Sequence, residues 1–178
     1  MNPTLLILLN HLRSQGHAQY DGEAVTQLAH ALQAASLALE HQASPELVTA
    51  CLFHDLGHLL NKTEDGGTDD RHEYRALGIL RSVFPAAVTE PIRLHVEAKR
   101  YLCAVEPGYW QGLSAESQRS LVGQGGVFAP SEAALFIAQP HAEAAVQLRR
   151  WDEQAKVVRA VTPNLEVFAA IAHTCCYS

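Results

Sequence analysis

The sequence predicts an all-α protein, and three observations support this fold class. The chain contains 27 alanines and 23 leucines among 178 residues, and both residue types favour helices. Apolar residues recur at helical spacing along most of the chain. No segment shows the period-two alternation that is typical of a half-buried strand. We therefore expect one domain, residues 1–178, folded as a compact bundle of about seven or eight helices.

The boundaries of the first three helices follow from capping residues and helix breakers. The first is a short amphipathic helix that ends near Gly16. The second has apolar residues at helical spacing from Val25 to Leu39. Ser44 is a favourable N-cap and Pro45 suits the first helical position, so together they begin the third. These helices are predicted over about residues 3–14, 23–41 and 45–60.

Polar segments and prolines divide the second half of the chain. Residues 61–71 are acidic and glycine-rich, which predicts a surface loop. His72 opens a helix that Pro85 stops. Thr89 caps the next one, with Pro91 in its first turn. The predicted helices cover about residues 72–84, 89–105, 131–138, 140–161 and 163–174, with a weak helical pattern over 116–122.

Charge and composition exclude several classes of partner. The net charge of −6 argues against nucleic acid as a bulk electrostatic partner. No apolar stretch reaches the roughly 18 residues that a membrane span needs, and the short apolar run near the N-terminus lacks a preceding basic region. The four cysteines show no CxxC spacing. We expect a cytoplasmic monomer that binds neither nucleic acid nor membrane.

Histidines and two aspartates form an ordered set that could bind metal. The chain has ten histidines against thirteen lysines and arginines. A single helical histidine is more often a core or surface residue than a ligand, so the prediction depends on the whole set. Six such groups exceed the needs of one tetrahedral zinc and suit two octahedral metals that share Asp55. The candidate ligands are His30, His54, Asp55, His72, His95 and Asp152.

The order H…HD…H…H…D resembles the HD-domain superfamily of metal-dependent phosphohydrolases and oxygenases. Longer motifs are similar to those of the PhnZ-type phosphonate oxygenases within it: YDGE at 20–23, HDLGH at 54–58, HVEAKRYL at 95–102, LVGQGGVF at 121–128 and RRWDEQAK at 149–156. The resemblance extends over about residues 5–172. It implies an HD-domain helical bundle with a di-metal site in its core.

The resemblance also implies a mixed-valent di-iron centre (Fe2+/Fe3+), related to that of myo-inositol oxygenase, with O2 as co-substrate. Such enzymes cleave the C–P bond of 1-hydroxyphosphonates, and 2-amino-1-hydroxyethylphosphonate would yield glycine and phosphate. Asp55 would bridge the two metals. One iron would be held by His30, His54, Asp55 and Asp152, and the other by Asp55, His72 and His95.

Three cationic or donor side chains are spaced to lie beside the ligands. Lys99 follows His95 by four residues, and His58 follows His54 by four, so each pair shares one helical face. Arg149 precedes Asp152 by three. These groups can meet a dianionic phosphonate.

The resemblance assigns further roles around this phosphonate site. Ser117 would donate its hydroxyl to the phosphonate, and Glu23 would receive the substrate ammonium. Tyr20 matches a tyrosine that occupies the open iron position when substrate is absent. The catalytic candidates are thus Tyr20, Glu23 and Lys99, and the substrate-binding candidates are Glu23, His58, Lys99, Ser117 and Arg149.

Two other functions remain open at this stage. A hydrolytic HD enzyme could use the same metals to activate water against a phosphate ester or nucleotide. Ligand count does not separate the two chemistries, because a binuclear hydrolase would also use His72 and His95. A degenerate HD domain that acts as a sensor or scaffold is disfavoured, since no ligand position is lost.

Overall fold

The structure, a computed structural model, describes residues 2–20, 22–60 and 72–177, and the regular structure of these ranges is helical. The predicted surface loop at 61–71 lies outside them. Within the described ranges the only β-type pairing is an isolated bridge between Gln19 and Thr26, so the all-α prediction is confirmed. The helices are α1 (Pro3–Gln15), α2 (Gln27–Glu40), α3 (Pro45–Phe53), α4 (His72–Arg75), α5 (Leu77–Arg81), α6 (Ala86–Val105), α7 (Tyr109–Gly112), α8 (Ala115–Gly123), α9 (Pro130–Ile137), α10 (Ala142–Gln154) and α11 (Leu165–Thr174), with a 3-10 turn at Leu56–His58.

The count of eleven α-helices over these ranges exceeds the expected seven or eight because several are very short. The predicted helix at 72–84 is two pieces, α4 and α5. A four-residue helix, α7, also lies in the region that the sequence left irregular. The bundle architecture itself is as expected.

The main hydrophobic core lies where α1, α2, α3, α6 and α11 meet. Its largest fully buried side chains include Phe53, Phe84 and Phe168. Burying each such side chain is worth roughly 1.5–3 kcal/mol. A second, smaller cluster around Leu94 and Phe136 joins α6 to α9 and α10. The long helix α6 therefore belongs to both clusters and fixes α10 against α3. Among the described helices, none has the length and apolar composition that crossing a bilayer requires.

Helix α6 starts earlier than predicted. It begins at Ala86 with Pro85 as its N-cap, and Pro91 lies inside it. Thr89 is not a cap: its hydroxyl donates a hydrogen bond back to the carbonyl of Pro85 at 3.4 Å. Val88 and Thr89 are both buried, which stabilises the extra turn despite the hydrogen bond that Pro91 cannot donate.

Three other helix ends differ from the sequence prediction, and all three lie at the candidate site. Helix α2 begins at Gln27, capped by the Thr26 side chain, rather than at Glu23. Helix α3 ends at Phe53 instead of continuing towards residue 60. Helix α10 ends at Gln154 instead of near residue 161. In each case the chain leaves the helix where its residues contact the site described below.

Gly57 allows α4 to lie directly against the 3-10 turn after α3. It is buried, and a Cβ atom at this position would overlap the backbone carbonyl of His72. The close approach of these two segments is what brings His72 towards Asp55. A side chain at residue 57 would have to push the His72 backbone away.

We expect Gly57→Ala to destabilise the protein by about 1–3 kcal/mol, because the overlap is with backbone that cannot simply rotate aside. Chemical denaturation measures this loss. Gly78→Ala is the matched control, since nothing lies within 4 Å of a Cβ there and the residue is in α5. That variant should gain about 0.5–1 kcal/mol through helix propensity. Equal stability of the two variants would refute the role of Gly57.

Candidate functional site

Four buried histidines from four parts of the fold meet in two pairs. His30, on α2, places its Nε2 atom 3.2 Å from Nε2 of His54, which follows α3. His72, on α4, places Nε2 3.1 Å from Nε2 of His95, on α6. The six candidate ligands of the sequence therefore include two histidine pairs that the fold brings together.

Asp55 lies between the two pairs and offers one carboxylate oxygen to each. Its Oδ2 is 3.6 Å from Nε2 of His30 and 3.4 Å from Nε2 of His54. Its Oδ1 is 3.2 Å from Nε2 of His72 and 3.6 Å from Nε2 of His95. This is the geometry from which a carboxylate can bridge two cations.

Asp152, on α10, lies close to the pair formed by His30 and His54 only. Its Oδ1 is 3.3 Å from Nε2 of His30 and 3.8 Å from Nε2 of His54. Its Oδ2 accepts a hydrogen bond from Arg149, one turn earlier on the same helix. The residues that could hold metal thus form two sets that share Asp55. The first set is His30, His54, Asp55 and Asp152, and the second set is Asp55, His72 and His95.

The donor atoms of this centre fit metal ions. The Nδ1–H groups of His30, His54 and His95 donate to the carbonyls of Ala155, Cys51 and Ile92 at 2.7–2.9 Å. A carbonyl can only accept, so these bonds place a proton on each Nδ1 and turn the Nε2 atoms of the three rings towards the centre. Asp55 Oδ2 and Asp152 Oδ1 are buried and have no hydrogen-bond partner. Both oxygens face His30 and His54, so a cation at the first histidine pair would remove the cost of leaving them unpaired.

The electrostatics of the centre also require positive charge. Burial favours the neutral acids, but the pKa values of Asp55 and Asp152 are well below their usual range because His54 and Arg149, respectively, outweigh it. Burial alone would lower the pKa of His54, yet the two carboxylates raise it to about 10. Burial and the neighbouring imidazoles lower the pKa of His95 to about 3. Both carboxylates therefore stay charged, and a metal at the first histidine pair must displace a proton.

A small cavity of about 130 Å³ opens beside Asp55, His72 and His95. It is well below the roughly 300 Å³ at which drug-sized ligand pockets begin, so it suits a small substrate better than a nucleotide. Most of the candidate substrate residues line it. The described lining includes Tyr20, Glu23, His58, Lys99, Ser117, Ser120, Gln124, Arg149 and Lys156.

Tyr20 packs directly against a candidate metal ligand. Its ring stacks on His30 with centroids 4.2 Å apart and an angle of 12° between planes. Burial, followed by the charges of Asp55 and Asp152, holds its pKa well above the usual value, so the phenol stays protonated. The segment that carries it turns back, and the Tyr20 amide donates a hydrogen bond to the Val25 carbonyl at 2.9 Å. Asp21 lies outside the described residues.

The phosphonate-binding candidates line the cavity but already have protein partners. Lys99 donates to the hydroxyl of Ser120 at 2.8 Å. Arg149 donates to Asp152 and Glu153. Ser117 donates its hydroxyl to Glu153 at 2.9 Å. Substrate must therefore share or replace these bonds.

His58 lies between the candidate metal ligands and the cavity. Its ring stacks on that of His72 with centroids 4.0 Å apart, and its Nε2 is 3.9 Å from Asp55 Oδ1. It can complete a metal-capable group with Asp55 and His72. Its side chain is 21% exposed, against 4% for His95. This exposure fits a substrate-facing role better than that of a core ligand.

Sequence reasoning missed Lys156, which lies at the cavity wall. Its Nζ is 3.0 Å from Oε1 of Glu23. Lys156 follows Asp152 by four residues within the motif RRWDEQAK, the same spacing that singled out Lys99 after His95. Ser120 was missed as well, and its one-turn spacing from Ser117 was the available indication.

A buried cluster of histidines and carboxylates beside a small cavity that Lys99, Arg149 and Lys156 line, in a helical bundle, is typical of metal-dependent enzymes that act on small anions. Comparison with known proteins identifies the family. The chain is 44% identical over 173 residues to the hydroxymethylphosphonate dioxygenase of Gimesia maris, covering 94% of this chain and 86% of that protein. It is 36% identical over 159 residues to the [1-hydroxy-2-(trimethylamino)ethyl]phosphonate dioxygenase (glycine-betaine-forming) of Leisingera caerulea, covering 87% and 81%. No protein-family model matches the chain.

The chain therefore belongs to the PhnZ-type phosphonate oxygenases, and it is an oxygenase of phosphonate catabolism. The resemblance drawn from the motifs is confirmed. Both of these relatives are named dioxygenases, which favours oxidation over hydrolysis where the ligand count could not decide.

Proposed function

We propose that this protein is a di-iron oxygenase that uses O2 to split the C–P bond of a 1-hydroxyphosphonate. The observation that carries the proposal is Asp55, whose two oxygens face two separate histidine pairs beside a small polar cavity that Lys99 and Arg149 line. The nitrogen and oxygen donors suit iron and leave room for substrate. When bound, the two irons would supply the activation of dioxygen, which is the oxidant of the reaction.

The distances at the centre support two iron positions. The first would be held by His30, His54, Asp55 and Asp152. The second would be held by Asp55, His72 and His95. The carbonyls that accept from the Nδ1 groups would orient these imidazoles.

In the proposed reaction, charged side chains bind and orient the phosphonate. Lys99 and Arg149 supply two positive charges at the cavity wall for the dianion. His58 adds a donor between cavity and metal centre. Tyr20 covers the centre when substrate is absent and moves aside when the substrate hydroxyl enters. Its neutral phenol costs little to displace compared with a phenolate.

Two substrates are candidates for this site. Glu23 lines the cavity and supports 2-amino-1-hydroxyethylphosphonate, which would yield glycine and phosphate. The ion pair of Glu23 with Lys156 and the name of the 44% identical relative support hydroxymethylphosphonate. That dianion and O2 would give formate, hydrogen phosphate and one proton. The carbon loses four electrons in either reaction, and dioxygen accepts them.

A substrate panel tests the proposed chemistry. Iron-loaded protein is incubated in air with each hydroxyphosphonate and, in parallel, with a phosphate monoester, and released phosphate is measured. We expect release from at least one hydroxyphosphonate and none from the ester. Release from the ester alone would replace the proposal with the hydrolytic function.

A further inference from the structure

The ammonium group of Lys156 is held where a substrate ammonium would otherwise bind. The residue follows the end of α10, and its side chain is 12% exposed. Its Nζ lies 3.0 Å from Glu23 Oε1, 3.0 Å from the hydroxyls of Ser114 and Ser117, and 3.3 Å from Glu153 Oε2. Four oxygens thus surround three N–H donors, and the ammonium is fully satisfied.

The negative charge of Glu23 is correspondingly balanced by the ammonium group of Lys156. Its Oε1 accepts a 2.6 Å hydrogen bond from Ser114 in addition to the contact with Lys156. A substrate ammonium at Glu23 would lie next to the Lys156 ammonium in a partly buried site. Like charges that close together oppose binding.

The other carboxylates near this wall are also paired. Glu116, which lines the cavity, is 2.9 Å from Arg119, and Glu153 is 2.5 Å from Arg149. Among the described residues of the lining, every glutamate therefore has a cationic partner. Of the described lining residues, Asp55 and Asp152 are the ones that add further negative charge.

We propose that Lys156 is a specificity-determining residue, which occupies the Glu23 carboxylate and so selects a 1-hydroxyphosphonate without an ammonium group on C2. Hydroxymethylphosphonate is the smallest such substrate, and the cavity of about 130 Å³ suits it. This inference rests on the proposed function and chooses between its two candidate substrates.

The test compares hydroxymethylphosphonate with 2-amino-1-hydroxyethylphosphonate. For each, kcat/KM is measured in air, and Kd is measured on iron-loaded protein without dioxygen. The ratio between two substrates is insensitive to a partly folded preparation. Wild type should prefer hydroxymethylphosphonate by about tenfold or more, which is the effect expected of a nearby like charge.

Lys156→Met keeps the length of the side chain and removes its charge, so it should shift both ratios towards the amino substrate by about tenfold. Lys156→Arg should keep the wild-type preference. Arg150→Met is the matched control, because Arg150 pairs with Glu106 at 2.5 Å outside the cavity, and it should leave both ratios unchanged.

An unchanged ratio in Lys156→Met, or a wild-type preference for the amino substrate, would overturn the inference. Turnover of neither substrate by wild type would instead refute the proposed function. The Kd ratios of wild type and Lys156→Met would still decide the role of Lys156 in that case.

Discussion

Asp55→Asn is expected to empty both metal positions and to lower activity by at least about 100-fold. Altering a residue that merely supports a metal ligand costs about 10–100-fold, and Asp55 faces both sets of ligands directly. The amide keeps the shape of the side chain but loses the charge and one acceptor oxygen. Iron content per chain and the rate of phosphate release measure the result.

Two further variants make this experiment specific. Asp152→Asn should lose only the metal at the first histidine pair, because Asp152 approaches His30 and His54 alone. Glu166→Gln changes an exposed carboxylate that pairs with Arg13, and it should keep both metals. If Asp55→Asn retained one full equivalent of iron, as Asp152→Asn should, the bridging role of Asp55 would be wrong.

His95→Ala is expected to lose one metal and all measurable activity. His95 is buried on α6, and its Nε2 faces both His72 and Asp55 Oδ1. Its removal leaves the second set with Asp55 and His72, while the first set stays intact. Metal analysis of the purified variant should therefore give about half the wild-type iron, since one of two positions is lost.

The matched control is His173→Ala, an exposed histidine in the last turn of α11. It should keep both metals and full activity. Retention of two metals by His95→Ala would show that another group, with His58 as the nearest alternative, holds the second metal.

Local patterns predicted the parts of the fold that depend on neighbouring residues. Ser44 caps α3 as expected, accepting a hydrogen bond from the Leu47 amide at 3.3 Å. The apolar spacing located α2, α6 and α10, and the ordered histidines and aspartates came together as a buried cluster. The helices follow from periodicity and capping, which are properties of short segments, whereas the cluster was expected from the order of its residues along the chain.

Helix ends near the site could not be predicted, because distant residues determine them. Helix α10 stops where the Ala155 carbonyl accepts from His30, 125 residues earlier. Two residues later, Val157 exchanges hydrogen bonds with the Gln33 side chain on α2. Periodicity over 140–161 contains no information about either partner.

The same limit explains what was missed at the cavity. Lys156 pairs with Glu23, 133 positions away in sequence, so its spacing from Asp152 could indicate proximity to the site but not its partner. The role expected for Glu23 depended on its carboxylate being open to substrate. The three-dimensional structure supplies the competing cation.

Simultaneous measurement of oxygen uptake and phosphate release tests whether the protein uses dioxygen to cleave the C–P bond. Iron-loaded protein is mixed with hydroxymethylphosphonate in an oxygen-electrode cell, and both quantities are followed over time. We predict one O2 consumed for each phosphate released, and no phosphate when dioxygen is excluded. Phosphate release that continues without dioxygen would contradict the account.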